Sequence, residues 1–187
     1  MTDLHTHILP GMDDGARNAD ESLAMLRMEQ MQGVDAVVLT PHFYGARETA
    51  KDFLLRRDAA LQELETRLAQ LPETEQTALP EMITGAEVAW HQALTDCEEL
   101  PRLCIGQTKN LLLELPFTPW NTQMFNQIYD LIGQTGVVPI IAHLERYARF
   151  QRPKHVIEVF ELGVPVQITG EILRHPLVRG KALRLLS

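Results

Sequence analysis

Apolar positions along this chain fall into two alternating patterns. Short β-branched or leucine-rich runs read as strands: residues 2–8, Val34-Asp-Ala-Val-Val-Leu-Thr-Pro41, Glu81-Met-Ile-Thr-Gly-Ala-Glu-Val88, Leu111-Leu-Leu-Glu-Leu-Pro-Phe117, Val137-Val-Pro-Ile-Ile-Ala-His143 and Gly163-Val-Pro-Val-Gln-Ile-Thr169. Longer stretches between them carry apolar residues at helical spacing. Leu23, Leu26 and Met31 predict a helix capped by Asn18 or Asp20 and ended by Gly33, with its methionines filling the core. Residues 51–71 predict a long amphipathic helix through Phe53, Leu61, Leu64 and Leu68. Further helices are expected over Trp90–Leu100, Asn121–Gln134, 153–162 and 178–186. The segment from Pro72 to Pro80 reads as a surface loop.

Strand followed by helix, repeated without hairpin signals, predicts a parallel α/β sheet with right-handed crossovers, closed as a barrel or doubly wound. Ligands collect at the C-terminal strand ends in both. A single domain over residues 1–187 is expected, with 45% hydrophobic and 22% charged residues and enough chain for a substantial core. The net charge of −8 argues against nucleic acid as a partner, because phosphate backbones need clustered Lys and Arg. No apolar run approaches the roughly 18 residues of a membrane helix, so no membrane insertion is expected. The N-terminus shows no signal-peptide pattern, and two cysteines, Cys97 and Cys104, are too few for a disulfide scaffold. These features point to the cytoplasm. Cys97 and Arg102 are one residue too close for a Cys-x5-Arg phosphate loop, and both cysteines read as small buried hydrophobes.

The candidate chemistry begins in the first strand. Alternation places His5 and His7 on one face, with Asp13 and Asp14 following a Pro-Gly turn. His42, Glu87, Glu114 and His143 then lie at or near the ends of later strands. Histidines and carboxylates gathered in one place would repel or stay unsatisfied without cations. Nitrogen and oxygen donors without thiolates suit Mn, Fe or Zn. Such a cluster, with a water activated by metal and an arginine for bidentate phosphate contact, is a phosphoester hydrolase arrangement. Arg146 is the best-placed arginine; Arg17 and Arg47 are the alternatives. His91, His155 and His175 read as surface or satisfied histidines.

These residues resemble the PHP family (polymerase and histidinol phosphatase), in its bacterial tyrosine-protein phosphatase branch linked to capsule and exopolysaccharide synthesis. The resemblance rests on Asp3-Leu-His-Thr-His-Ile-Leu-Pro-Gly-Met-Asp-Asp-Gly15, Thr40-Pro-His42, Gly85-Ala-Glu87, Leu113-Glu-Leu-Pro-Phe117 and Ala142-His-Leu-Glu-Arg-Tyr147. It implies a distorted (β/α)7 barrel, up to three divalent metal ions with manganese foremost, and hydrolysis of phosphotyrosine on a bacterial tyrosine kinase. The family's metal ligands fall on His5, His7, Asp14, His42, Glu87, Glu114 and His143, with Asp14 rather than Asp13 as the ligating acid. The groups expected to act on the substrate are Arg146 and His42.

One departure stands out. The family's seventh strand ends in Asp-x-His, and no such motif follows His143. Either the last ligands come from elsewhere or, the preferred reading, the chain is C-terminally truncated and lacks the last strand and helix, with an open edge that favours association into a homo-oligomer. Two alternatives stay open: a phosphatase of the same fold acting on a small metabolite such as histidinol phosphate, and an inactive metal-binding form. Phe43 and Tyr44, placed in a loop over residues 43–50, are expected to stack on an aromatic substrate.

Overall fold

The computed structural model of the protein describes residues 1–147 and 150–170. The described strands are β1 (Thr2–Thr6), β2 (Ala36–Leu39), β3 (His42–Phe43), β4 (Glu81–Thr84), β5 (Glu87–Ala89), β6 (Asn110–Glu114) and β7 (Val138–Ile141). The described helices are α1 (Ala19–Met31), α2 (Ala50–Leu68), α3 (Glu73–Gln76), α4 (Leu100–Leu103), α5 (Thr122–Thr135), α6 (Leu144–Tyr147) and α7 (Pro153–Glu161). None of these helices is long and apolar enough to cross a membrane.

All strand pairs are parallel, in the orders β1-β2-β4 and β3-β5-β6-β7. The two sheets are joined where two predicted strands break. Pro41 has no N–H to donate, so β2 stops before it and the chain restarts as β3. The partner strand breaks at Gly85-Ala86, where a side chain on Gly85 would sit 3.2 Å from Val38 Cγ1. Hydrogen bonds from Gly85 N to Leu39 O and from Glu87 N to Pro41 O, both 3.0 Å, carry the ladder through the bend. The result pairs His42 directly with Glu87 across β3 and β5.

The sixth predicted strand is realised at Val166, which bridges Ile141 in parallel. The expected helix at 178–186 lies outside the described residues. So does His175.

Strands β2, β6 and β7 are largely buried on both faces, which explains why their sequences read as apolar runs without alternation. One face packs against the helices through Phe53, Leu54, Leu113, Trp120 and Ile128 around the second sheet, and through Leu26, Val37, Leu39 and Leu64 around the first. The other face carries Val38, Leu112, Ile140 and Ala142 with Ile105. Asn18, Thr49 and Asn121 cap α1, α2 and α5, each accepting a backbone N–H.

Several local expectations are corrected. Met28 and Met31 are exposed, and Leu23 and Leu26 alone of that pattern are buried. Phe43 is a strand residue packed on Phe53 at 5.0 Å between ring centres, not a loop aromatic. The Trp90–Leu100 helix is instead a 3-10 turn over Gln92–Asp96 preceding α4. The loop after Pro72 holds the short α3. His155 is buried, with its Nδ1 lacking a hydrogen-bond partner.

Candidate metal centre

The site forms where the strand ends meet. His5 lies in β1 and His7 just past it, at the start of a loop that folds back on itself. Ala16 N donates to His7 O at 3.0 Å and Gly11 N to Ala16 O at 2.8 Å. This return path carries Asp13 and Asp14 to the mouth of the site. His42 opens β3, Glu87 opens β5, Glu114 closes β6, and His143 follows β7 by two residues.

Glu87 stands at the centre and is 1% exposed. Its Oε1 accepts from His143 Nε2 at 2.8 Å. Its Oε2 lies 3.0 Å from His5 Nε2, 3.0 Å from His42 Nδ1 and 3.4 Å from His7 Nε2. Yet neither Glu87 Oε2 nor His42 Nδ1 makes a hydrogen bond of acceptable geometry, and His143 Nδ1 is likewise buried without one. Buried polar atoms crowded together but not hydrogen-bonded to one another are the pattern of ligands facing a shared cation. Three overlapping groups could each hold an ion: His5, His7 and Glu87; His7, Asp14 and His42; and His42, Glu87 and Glu114. His143 Nε2 also reaches Glu114 Oε1 at 3.7 Å. The residues therefore fit a divalent metal.

Asp13 and Asp14 divide the work. Asp14 is exposed and faces His42 Nε2 at 3.7 Å. Asp13 is turned inward. Its Oδ2 accepts from His7 Nδ1 at 2.7 Å and from His42 N at 2.9 Å, and its Oδ1 from Gly15 N at 3.0 Å. A carboxylate behind a histidine ring fixes the tautomer and frees Nε2 for a ligand role. Sequence reasoning did not assign this role, since two adjacent aspartates on a loop look alike before the loop's path is known.

Charge follows geometry. Burial disfavours the charged form of His7, but Asp13 and Glu87 outweigh it and hold its pKa up at about 10. Burial pushes the Glu87 carboxyl up, while His143, His5 and His7 outweigh it and hold it below the usual range. Burial, and then the charge of Glu87, push Glu114 up. A pH dependence of the chelated protein follows. A raised histidine stabilises fully below its unfolded value of 6.5 and loses that contribution as pH climbs through about 10. A depressed carboxylate stabilises above its unfolded range, about 4 to 5, and loses that as pH falls. Thermal melts in chelator are expected to peak between about pH 5 and 6.5 and decline steadily toward pH 10. A melting temperature that rises over that interval would rule out a proton shared among His7, Asp13 and Glu87.

Around the cluster, Tyr44 stacks on His42 at 5.2 Å and Arg47 lies 4.6 Å over the Tyr44 ring. These residues, with Asp14, line a cleft of about 350 Å³. On the other side Phe117, 43% exposed, lies 6.2 Å from the His143 ring with planes 20° apart. Arg146 is exposed on α6, and its charge acts on Glu114. Arg17 is paired with Glu21 on the surface. The structure also recruits Gln167, whose side-chain oxygen lies 3.1 Å from His5 Nδ1. A polar residue inside the apolar run at 163–169 was the one sequence signal for it.

A tyrosine-protein phosphatase of Bacillus subtilis, YwqE, is 30% identical over 189 residues, covering 100% of this chain and 70% of the relative. The tyrosine-protein phosphatase CpsB of Streptococcus agalactiae serotype V is 28% identical, covering 98% of this chain and 74% of the relative. A solved structure from work on YwqE of Bacillus subtilis and CpsB of Streptococcus pneumoniae, described as unique metal-dependent tyrosine phosphatases, superposes with a TM-score of 0.78 at 27% identity. That match covers 100% of this chain and 74% of the other. The profile described as capsular polysaccharide synthesis, CpsB/CapC, matches residues 1–174, and the chain belongs to that family.

Proposed function

We propose that this chain hydrolyses phosphotyrosine on a protein involved in capsular polysaccharide synthesis, using divalent metal ions. The observation that carries this reading is the set of overlapping ion-holding groups around buried Glu87, in a family whose relatives are named tyrosine-protein phosphatases. His5, His7, Asp14, His42, Glu87, Glu114 and His143 are the proposed ligands. Manganese is the preferred ion, with Fe or Zn as alternatives of the same donor preference. Bound metal supplies a water of lowered pKa and positive charge toward the phosphate oxygens. Arg146 binds the phosphate through its planar guanidinium, and His42 contributes both to the cluster and to the cleft wall beside the reacting group. The protein substrate in this reading is a bacterial tyrosine kinase, the location is the cytoplasm, and a homo-oligomer is testable by light scattering.

Phe117 and Tyr44 favour this over turnover of a small alkyl phosphate. Phe117 is 43% exposed next to His143, and Tyr44 lines the cleft between His42 and Arg47. Assays with added manganese should show turnover of a phosphotyrosine peptide above that of histidinol phosphate. Phe117→Ala is expected to raise KM for aryl phosphates roughly 2- to 10-fold, the loss of one aromatic contact, with less change in kcat. Metal-loaded protein that turns over neither a phosphotyrosine peptide nor a generic aryl phosphate would sink the proposal and favour an inactive metal-binding form.

A further inference from the structure

Gln167 lies outside every group assigned above to metal or phosphate. Its backbone is held on both sides: N–H donates to Ile141 O at 2.8 Å, and its carbonyl accepts from Leu144 N at 3.0 Å. The residue is thereby clamped beside the turn that carries His143. Its side-chain Oε1 accepts from His143 N at 2.9 Å. The same oxygen lies 3.1 Å from His5 Nδ1.

Donor and acceptor rules make this pair of contacts informative. A backbone N–H can only donate, so the amide atom facing His143 N is the oxygen. A carbonyl oxygen can only accept, so His5 Nδ1 carries the hydrogen. In the neutral imidazole that a metal ligand must be, His5 Nε2 is then left with a lone pair, which faces Glu87 Oε2 at 3.0 Å and His7 Nε2 at 3.2 Å. Once it gives up its second proton to a metal, His7 is set the same way by Asp13. With both rings neutral, two lone pairs and a carboxylate oxygen converge within hydrogen-bond distance. A cation resolves that arrangement.

We propose that Gln167 is a positioning residue for the metal centre, holding His5 as the Nδ1–H tautomer with Nε2 toward the ion. It also ties the first strand to the turn after β7. That turn is costly, because His143 has φ +32, a region non-glycine residues rarely adopt. The Gln167 bond to His143 N–H helps keep the backbone there.

The inference rests on the metal reading of His5 and is tested apart from catalysis. Gln167→Met keeps the length and removes the acceptor. Gln167→Glu keeps an acceptor. Manganese and zinc affinities would be measured by competition titration, and the His5 tautomer by nitrogen NMR of chelated protein. Gln167→Met is expected to bind metal 10- to 100-fold more weakly, as for other partners behind a metal-ligating histidine, and to lose the uniform Nδ1–H form. Gln167→Glu is expected to restore both to within a few-fold of wild type. Equal affinity and tautomer in wild type and Gln167→Met would overturn the role of Gln167. So would a Gln167→Glu variant as impaired as Gln167→Met. If Gln167→Met does not fold, an Nε2–H form of His5 in the wild-type protein still overturns it. Failure of wild type to bind metal is a distinct result, which sinks the metal reading of the whole site.

Discussion

Glu87→Gln is expected to abolish tight metal binding and, with it, phosphatase activity. The substitution keeps the shape of the side chain and removes its charge. The carboxylate sits 1% exposed with histidine nitrogens at 2.8, 3.0, 3.0 and 3.4 Å. It belongs to two of the three overlapping ion-holding groups, so no one group can be lost without affecting the next. A neutral amide supplies a weaker oxygen donor and brings an NH2 that must face either a ring nitrogen or a cation. Loss of a partner behind a ligand costs about 10- to 100-fold in metal affinity. Loss of a shared central ligand should exceed about 100-fold on that scale. Titration of the variant with manganese, beside an aryl phosphate assay, checks both consequences. A variant that binds metal as wild type does would mean that Glu87 is a structural carboxylate neutralised by histidines, and the site would need another account.

Gly15→Ala is expected to damage the site from outside it. A Cβ on Gly15 would lie 2.0 Å from His7 O, 2.4 Å from His7 Cβ and 2.8 Å from His7 C. These atoms are backbone or directly attached to it, so no rotamer change can relieve the collision. The loop must lift from the strand end. Its bonds Ala16 N to His7 O and Gly15 N to Asp13 Oδ1 would go with it. Asp13 would then lose His7 Nδ1 and His42 N. Overpacking alone typically costs about 1–3 kcal/mol, and a backbone collision of this depth belongs at or above the top of that range. Metal affinity should fall as well, by the 10- to 100-fold associated with a lost histidine partner. Urea unfolding in chelator isolates the first effect, and metal titration the second. A change in stability below about 0.5 kcal/mol, the range of ordinary surface substitutions, would show that the loop has room that the geometry denies it.

Both predictions concern residues whose importance was visible in the sequence to different degrees. Glu87 stood out because a carboxylate inside an apolar run is expensive unless paired. Its position past a bend was not visible, because the break depends on Pro41 in one strand and on close approach at Gly85 in its neighbour. Phe43 illustrates the same limit. Read locally it follows a Pro-His turn and looks like loop; in the structure it pairs with Val88 and packs on Phe53. Met28 and Met31 failed in the opposite direction. Helical spacing placed them near an apolar stripe, but α1 presents only a narrow face to the sheet.

The general alternation of strand and helix, the facing of His5 with His7 and the strand-end placement of His42 and His143 were legible from the chain alone. Each is set by local periodicity of 2.0 or 3.6 residues and by where apolar runs stop. Tertiary structure alone decided which aspartate turns inward, which amide oxygen meets His5 and how closely Gly15 approaches His7. Those are contacts between segments far apart in sequence or across a returning loop. They depend on the path of the backbone in three dimensions, which no repeat of side-chain polarity encodes.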